Sequence, residues 1–137
     1  MAGFDTRMIA GKPDPVILEK AAQPHRLILT RTRHVYSSLA SGKALLLLAN
    51  LPDQQIKELF SRLGIQRREL KPLTRCILCN DELVAISQEQ VVGRLPDFTY
   101  QYHQQYRQCT TCGRLYWPGS HASRMSLRIN AWFDCSR

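Results

Sequence analysis

The rhythm of apolar and polar positions changes near residue 70. Before that point, aliphatic runs of strand length alternate with segments of helical period. "GFDTRMI" (3–9) is expected as a short strand leading into the loop "AGKP". "DPVILEKAA" follows as a helix: Asp14 can accept from the free amides of a first turn, and Pro15 sits where no amide bond is lost. "RLILT" (26–30) and "KALLLLAN" (43–50) read as buried strands from their aliphatic content. Between them "RTRHVYSSLASG" is a short helix or turn that Gly42 closes. "LPDQQIKELFSRLG" has the clearest helical period, with Ile56, Leu59, Phe60 and Leu63 on one face and Gly64 as a left-handed stop. Strands and helices alternating at such short intervals predict an α/β fold with a parallel, doubly wound sheet.

Beyond Leu70 the grammar differs. "CILCNDELVAISQEQVVGRLPDFTYQYHQQYRQCTTCGRLYWPG" has no helical period, several short alternating runs and two turn-rich hinges, the pattern of a small β unit. The end, "SHASRMSLRINAWF", returns to helix, with Met125, Ile129, Trp132 and Phe133 on one face and Arg124 and Arg128 on another. The expected division is therefore an α/β portion over 1–69, a cysteine-bearing unit over 70–120 and a terminal helix over 121–137.

Length and charge narrow the classes. With 137 residues, one compact domain with a small satellite is expected. The longest aliphatic run, "ALLLLANL", is too short to cross a bilayer, and "MAGFDTRM" has no apolar signal region, so no membrane association and a cytoplasmic location are expected. Nineteen basic against eleven acidic residues give a net charge of +8. That balance suits a polyanion such as RNA, because each phosphate neutralised releases counterions; a merely soluble basic protein is the plainer alternative.

Four of the five cysteines form two CxxC pairs, Cys76/Cys79 and Cys109/Cys112. A CxxC turn points both sulfurs at one point, and two facing turns give the tetrahedral four-thiolate site that zinc accepts. Asn80 and Gly113, directly after each pair, tolerate the left-handed backbone that the exit of such a turn often needs. A redox CxxC is the competing reading, but it belongs at a helix start after a strand and needs no second copy. A closed four-sulfur shell leaves no open coordination position, so the zinc is expected to be structural. His103 and His121 are not needed as ligands, His121 falling instead in the first turn of the last helix. Cys135 is left over, as a small apolar residue near the terminus.

Taken together, "GFDT" (3–6), "LILTRTR" (27–33), "LPDQQIKEL" (51–59), "RCILCNDEL" (75–83) and above all "QCTTCGRLYWPGSHASRM" (108–125) resemble the Mut-seven C-terminal RNase family. These are PIN-like nucleases with a zinc ribbon at the C-terminal end. The resemblance implies a PIN-like parallel-sheet domain, here lacking its first strand, with a C-terminal zinc ribbon and terminal helix. It also implies cleavage of RNA by carboxylates at the C-terminal ends of parallel strands, holding Mg²⁺ or Mn²⁺. Two departures bear on activity. The chain begins after the strand that carries the family's first acidic residue, and Thr32 stands where the family reads Asp, in Leu29-Thr30-Arg31-Thr32. Only Asp14 matches the acidic set, and a helix cap is an equal explanation of that residue. Asp5 reads as a surface residue. A fragment, a shortened product, or a neighbouring copy completing the sheet would each account for the absent strand.

Two functions follow as expectations. One is a metal-dependent ribonuclease using Asp14. The other is a catalytically silent module binding single-stranded RNA, with Arg31, Arg33, Arg75, Arg107, Arg114 and the last helix on phosphate. Aromatics interleaved with polar residues in "FTYQYHQQYRQ" and "GRLYW" could stack unpaired bases or simply pack over the ribbon's small core. A protein adaptor role has no specific signal.

Overall fold

In the computed structural model, which describes residues 2–11, 14–21 and 25–134, the chain divides into two units. One is Met8–Ile65; the other is Gln66–Arg137 together with Met1–Arg7.

The first unit is the strand-and-helix part. Helix α1 (Pro15–Ala21) opens on the expected cap, the Val16 amide donating to Asp14 Oδ1 at 2.8 Å. Strands β1 (Ile28–Thr30) and β2 (Ala44–Leu46) pair in parallel, with Leu29 opposite Leu45. A parallel pair needs a crossover, and α2 (Arg33–Ser38) supplies it and packs on both strands. Helix α3 (Pro52–Leu63) ends at Gly64, whose amide bonds the carbonyls of Phe60 and Ser61 and whose φ of 66° turns the Ile65 amide back to the Phe60 carbonyl at 2.9 Å. Leu18, Val35, Leu47 and Phe60 are the buried apolar residues of this unit.

Two expectations are corrected here. The strands are shorter and less buried than their aliphatic runs suggest: Leu29 is 43% exposed and Leu48 is 69% exposed. A sheet of two three-residue strands is too small to be enclosed on both faces. Residues 3–9 form no strand. Gly3 takes φ 91°, and a Cβ there would lie 2.3 Å from the Lys71 carbonyl oxygen. Residues up to Arg7 belong to the second unit, where single bonds and no ladder join them to its other residues. The Lys71 amide donates to the Ala2 carbonyl at 3.0 Å, and Asn80 Nδ2 donates to Asp5 Oδ1 at 2.8 Å.

The second unit is built on an antiparallel sheet in the order β3 (Leu83–Ile86), β4 (Tyr106–Cys109), β5 (Leu115–Tyr116). Leu83 lies opposite Cys109, and Arg107 opposite Tyr116. The stretch expected as β only also contains helix α4 (Asp97–Tyr102) and a 3₁₀ turn at Glu89–Val91; another 3₁₀ turn, Arg67–Glu69, precedes it. Aromatics at 98, 100 and 102 mimic a strand's alternation. The buried residue is instead Thr99, 3% exposed, and the buried Tyr106 hydroxyl reaches the carbonyls of Thr99 (3.1 Å) and His103 (2.7 Å). Those bonds hold the end of α4 to β4, so tertiary contact overrides the apparent period.

Helix α5 (Ser120–Phe133) closes the described part. Ile129 and Trp132 are buried, Met125 and Phe133 partly so, and Arg124 and Arg128 are exposed, which reproduces the expected faces. Cys135 lies outside the described residues. Among them, no helix is long and apolar enough to cross a membrane.

Candidate metal centre

Both CxxC pairs sit in tight turns of the antiparallel unit, and the turns are built alike. In the first, the Cys76 amide donates to the Asp81 carbonyl at 2.9 Å and the Asn80 amide returns to the Cys76 carbonyl at 2.9 Å. In the second, the Cys109 amide donates to the Arg114 carbonyl at 3.0 Å and the Gly113 amide returns to the Cys109 carbonyl at 2.9 Å. Closing so tight a turn requires a left-handed exit, and Asn80 (φ 62°) and Gly113 (φ 71°) supply it. Arginines brace both exits. Arg75 donates to the Asn80 carbonyl at 2.7 Å and Arg94 to the Gly113 carbonyl at 3.2 Å.

The four sulfurs converge, all within 4.8 Å of one another, with Cys76 and Cys112 Sγ atoms 3.7 Å apart. Zinc–sulfur bonds of about 2.3 Å place tetrahedral sulfurs about 3.8 Å apart, so the donor set fits zinc. All four are free thiols. They stand on β turns and not at a helix start, against the redox reading. Cys76 and Cys109 are buried with Leu83, and Cys79 and Tyr116 pack against them. Cys76, Cys79, Cys109 and Cys112 could therefore hold one ion in a closed shell, which when bound would join the two turns. Among the described residues no other group of three or more His, Cys, Asp or Glu converges in this way.

Tyr116 orients the site, a role the sequence did not announce. Its hydroxyl lies 3.1 Å from Cys76 Sγ as donor and 3.0 Å from the Ile77 amide as acceptor, fixing its direction. Burial pushes the Cys76 thiol up. Hydrogen bonds from the Cys79 amide, the Tyr116 hydroxyl, the Leu78 amide and the Cys112 thiol outweigh it and bring Cys76 down to about 6. Cys79 is pushed up to about 12, first by its hydrogen bond with Cys112, then by burial and by Cys76 and Cys109. A dication favours all four thiolates, so metal uptake releases protons.

The other site residues are dispersed. Asp14 is exposed and caps α1. Thr32 occupies the position before α2 and makes no side-chain cap bond. In the first unit, Arg31 donates to Asn50 Oδ1 and Arg33 is exposed at the start of α2. In the second, Arg107 and Arg114 are exposed, whereas Arg75 braces its turn and pairs with Glu82 at 3.4 Å. His121 is exposed in the first turn of α5, as expected, and His103 stands outside the sulfur cluster.

Sequence reasoning also missed Glu58. Its Oε2 accepts from the Leu48 and Ala49 amides, both at 2.9 Å, and its Oε1 from Arg62 at 3.1 Å. The amides first, then Arg62, hold its carboxyl below the usual range despite partial burial. This clasp joins the end of β2 to α3 and lines a shallow pocket of about 270 Å³ with Tyr36, Leu46, Leu48 and Arg62. The i,i+4 spacing of Glu58 and Arg62 was the only trace of it in the sequence.

No curated protein and no solved structure matches the chain. The family described as Mut7-C RNAse domain matches residues 1–129, and with nearly the whole 137-residue chain covered, the protein belongs to that family.

Proposed function

We propose that this chain is an RNA-binding member of the Mut7-C RNAse domain family, in which the cysteine unit is a structural zinc ribbon. The observation that carries the reading is the family match in a chain of net charge +8. The first unit is read as part of a PIN-like sheet, on the strength of its parallel β1–β2 pair and the α2 crossover. Exposed Arg33, Arg107 and Arg114 offer guanidinium groups to phosphate. Arg75 serves the turn exit instead. Four thiols gathered as metal ligands suit a reducing compartment such as the cytoplasm. The test is fluorescence anisotropy with an unstructured RNA across a salt series. Affinity should fall linearly on a log–log plot as salt rises. A salt-independent constant contradicts the phosphate contacts.

A second reading, metal-dependent cleavage, is favoured by the family's RNAse description. It would place Mg²⁺ or Mn²⁺ at Asp14. That carboxylate is exposed, and one of its oxygens serves the α1 cap. Hard cations are held by one or two carboxylates plus phosphate oxygens, so Asp14 would need the RNA itself to complete a site. RNA cleavage in Mg²⁺ or Mn²⁺ that disappears in Asp14→Asn establishes this reading; cleavage unchanged in the variant removes Asp14 from it.

A further inference from the structure

We propose that the outer face of α4, carrying Phe98 and Tyr102, is a stacking platform for unpaired bases of single-stranded RNA. The inference rests on the RNA-binding reading above and gives it a site. Phe98 is 66% exposed and Tyr102 is 80% exposed, four residues apart in one helix. That spacing puts both rings on one face, with Cβ atoms about 5–6 Å apart. The neighbouring aromatics are used differently. Tyr106 is buried with its hydroxyl on the carbonyls of Thr99 and His103, and Tyr116 bonds Cys76. Packing over the ribbon therefore explains those two rings and leaves the α4 pair unexplained.

The face is also held in place. Thr99 is buried behind it, Tyr106 anchors its end, and Gln88 Nε2 donates to the Tyr100 carbonyl at 2.9 Å. A fixed element loses little freedom on binding, which suits a flexible single strand. Charge of the matching sign follows α4 in the chain: Arg107 and Arg114 are exposed, and no Asp or Glu falls between Tyr102 and Ile129. Bases stack on aromatic rings whatever their identity, while phosphates meet the arginines. An apolar protein partner would use the rings but not that charge.

The experiment uses the full, zinc-loaded chain and RNA carrying 2-aminopurine. The variant Phe98→Ala/Tyr102→Ala should keep its zinc and circular dichroism, since both side chains are exposed. Its affinity for single-stranded RNA should fall about tenfold or more, and the quenching of 2-aminopurine should disappear. The salt slope should stay that of the wild type, because neither ring neutralises a phosphate. Phe98→Trp/Tyr102→Trp should retain tight binding. If the wild type binds RNA and the alanine variant binds as tightly, the platform is overturned while the RNA-binding reading stands. Equal affinity for a blunt duplex, or loss of a dimer with RNA affinity unchanged, also overturns it. A wild type that binds no RNA overturns both.

Discussion

The two units close their interiors by different means. Residues 8–65 bury Leu18, Val35, Leu47 and Phe60, yet leave Val16, Ile17, Leu48 and Leu51 substantially exposed. That unit relies on aliphatic packing and on one carboxylate, Glu58, that clasps β2 to α3. The cysteine unit buries Leu70, Val91, Tyr106, Ile129 and Trp132, and adds Cys76 and Cys109 beside Leu83 to its interior. The three strands are short, and metal–ligand bonds at the cysteine cluster would tie their turns together beyond what that packing supplies. Stability of the second unit should therefore follow metal, and stability of the first should follow packing and pH.

The sharpest way to break this contrast is Cys109→Ser. Cys109 is fully buried and is one of the four converging sulfurs. The variant should lose zinc and lose amide protection across β3, β4 and β5, while α3 keeps its protection. Hydrogen exchange with metal analysis checks both. Equal loss in the two units contradicts the contrast between them.

Next in size is Tyr116→Phe, which removes the donor to Cys76 Sγ and the acceptor of the Ile77 amide. Outer-shell bonds of this kind are worth about 10–100-fold in metal affinity. Competition with a chromophoric chelator should show a loss of that order without unfolding.

Glu58 sharpens the other side. Its folded pKa is depressed, so its stabilising contribution is full above the ordinary carboxylate range and is lost as pH falls through the folded value. Thermal melts of the wild type should drop in that acidic window. Glu58→Gln should lower Tm at neutral pH and flatten the acid dependence, with zinc content unchanged.

The smallest expected effect is Gly64→Ala. Nothing lies within 4 Å of a Cβ there, so the cost is the left-handed backbone alone, about 1–2 kcal/mol. Denaturant titration should show it as a shift in midpoint at constant slope.

The same contrast decides what could be read from sequence. The convergence of the four cysteines was legible down to the left-handed exits at Asn80 and Gly113, because a CxxC turn is local and its chemistry specifies both spacing and exit residue. Helices α1, α3 and α5 were legible from caps and period. Strand 3–9 failed because alternation needs a partner ladder, and none pairs with these residues among the described ones; Asp5 accepts instead from the Asn80 side chain. Helix α4 was hidden because Phe98, Tyr100 and Tyr102 imitate a strand, while the deciding contacts come from Tyr106 and Gln88. Tyr116 and Glu58 act across 40 and 10 positions of chain, separations at which no local pattern announces a hydrogen bond.

The central claim, a closed four-thiolate zinc site that holds the second unit together, is tested most directly by zinc-edge X-ray absorption on the purified chain. One zinc per chain with four sulfur neighbours at about 2.3 Å is the predicted result. A shell containing nitrogen from a histidine, or a metal-free chain with paired disulfides, would contradict it.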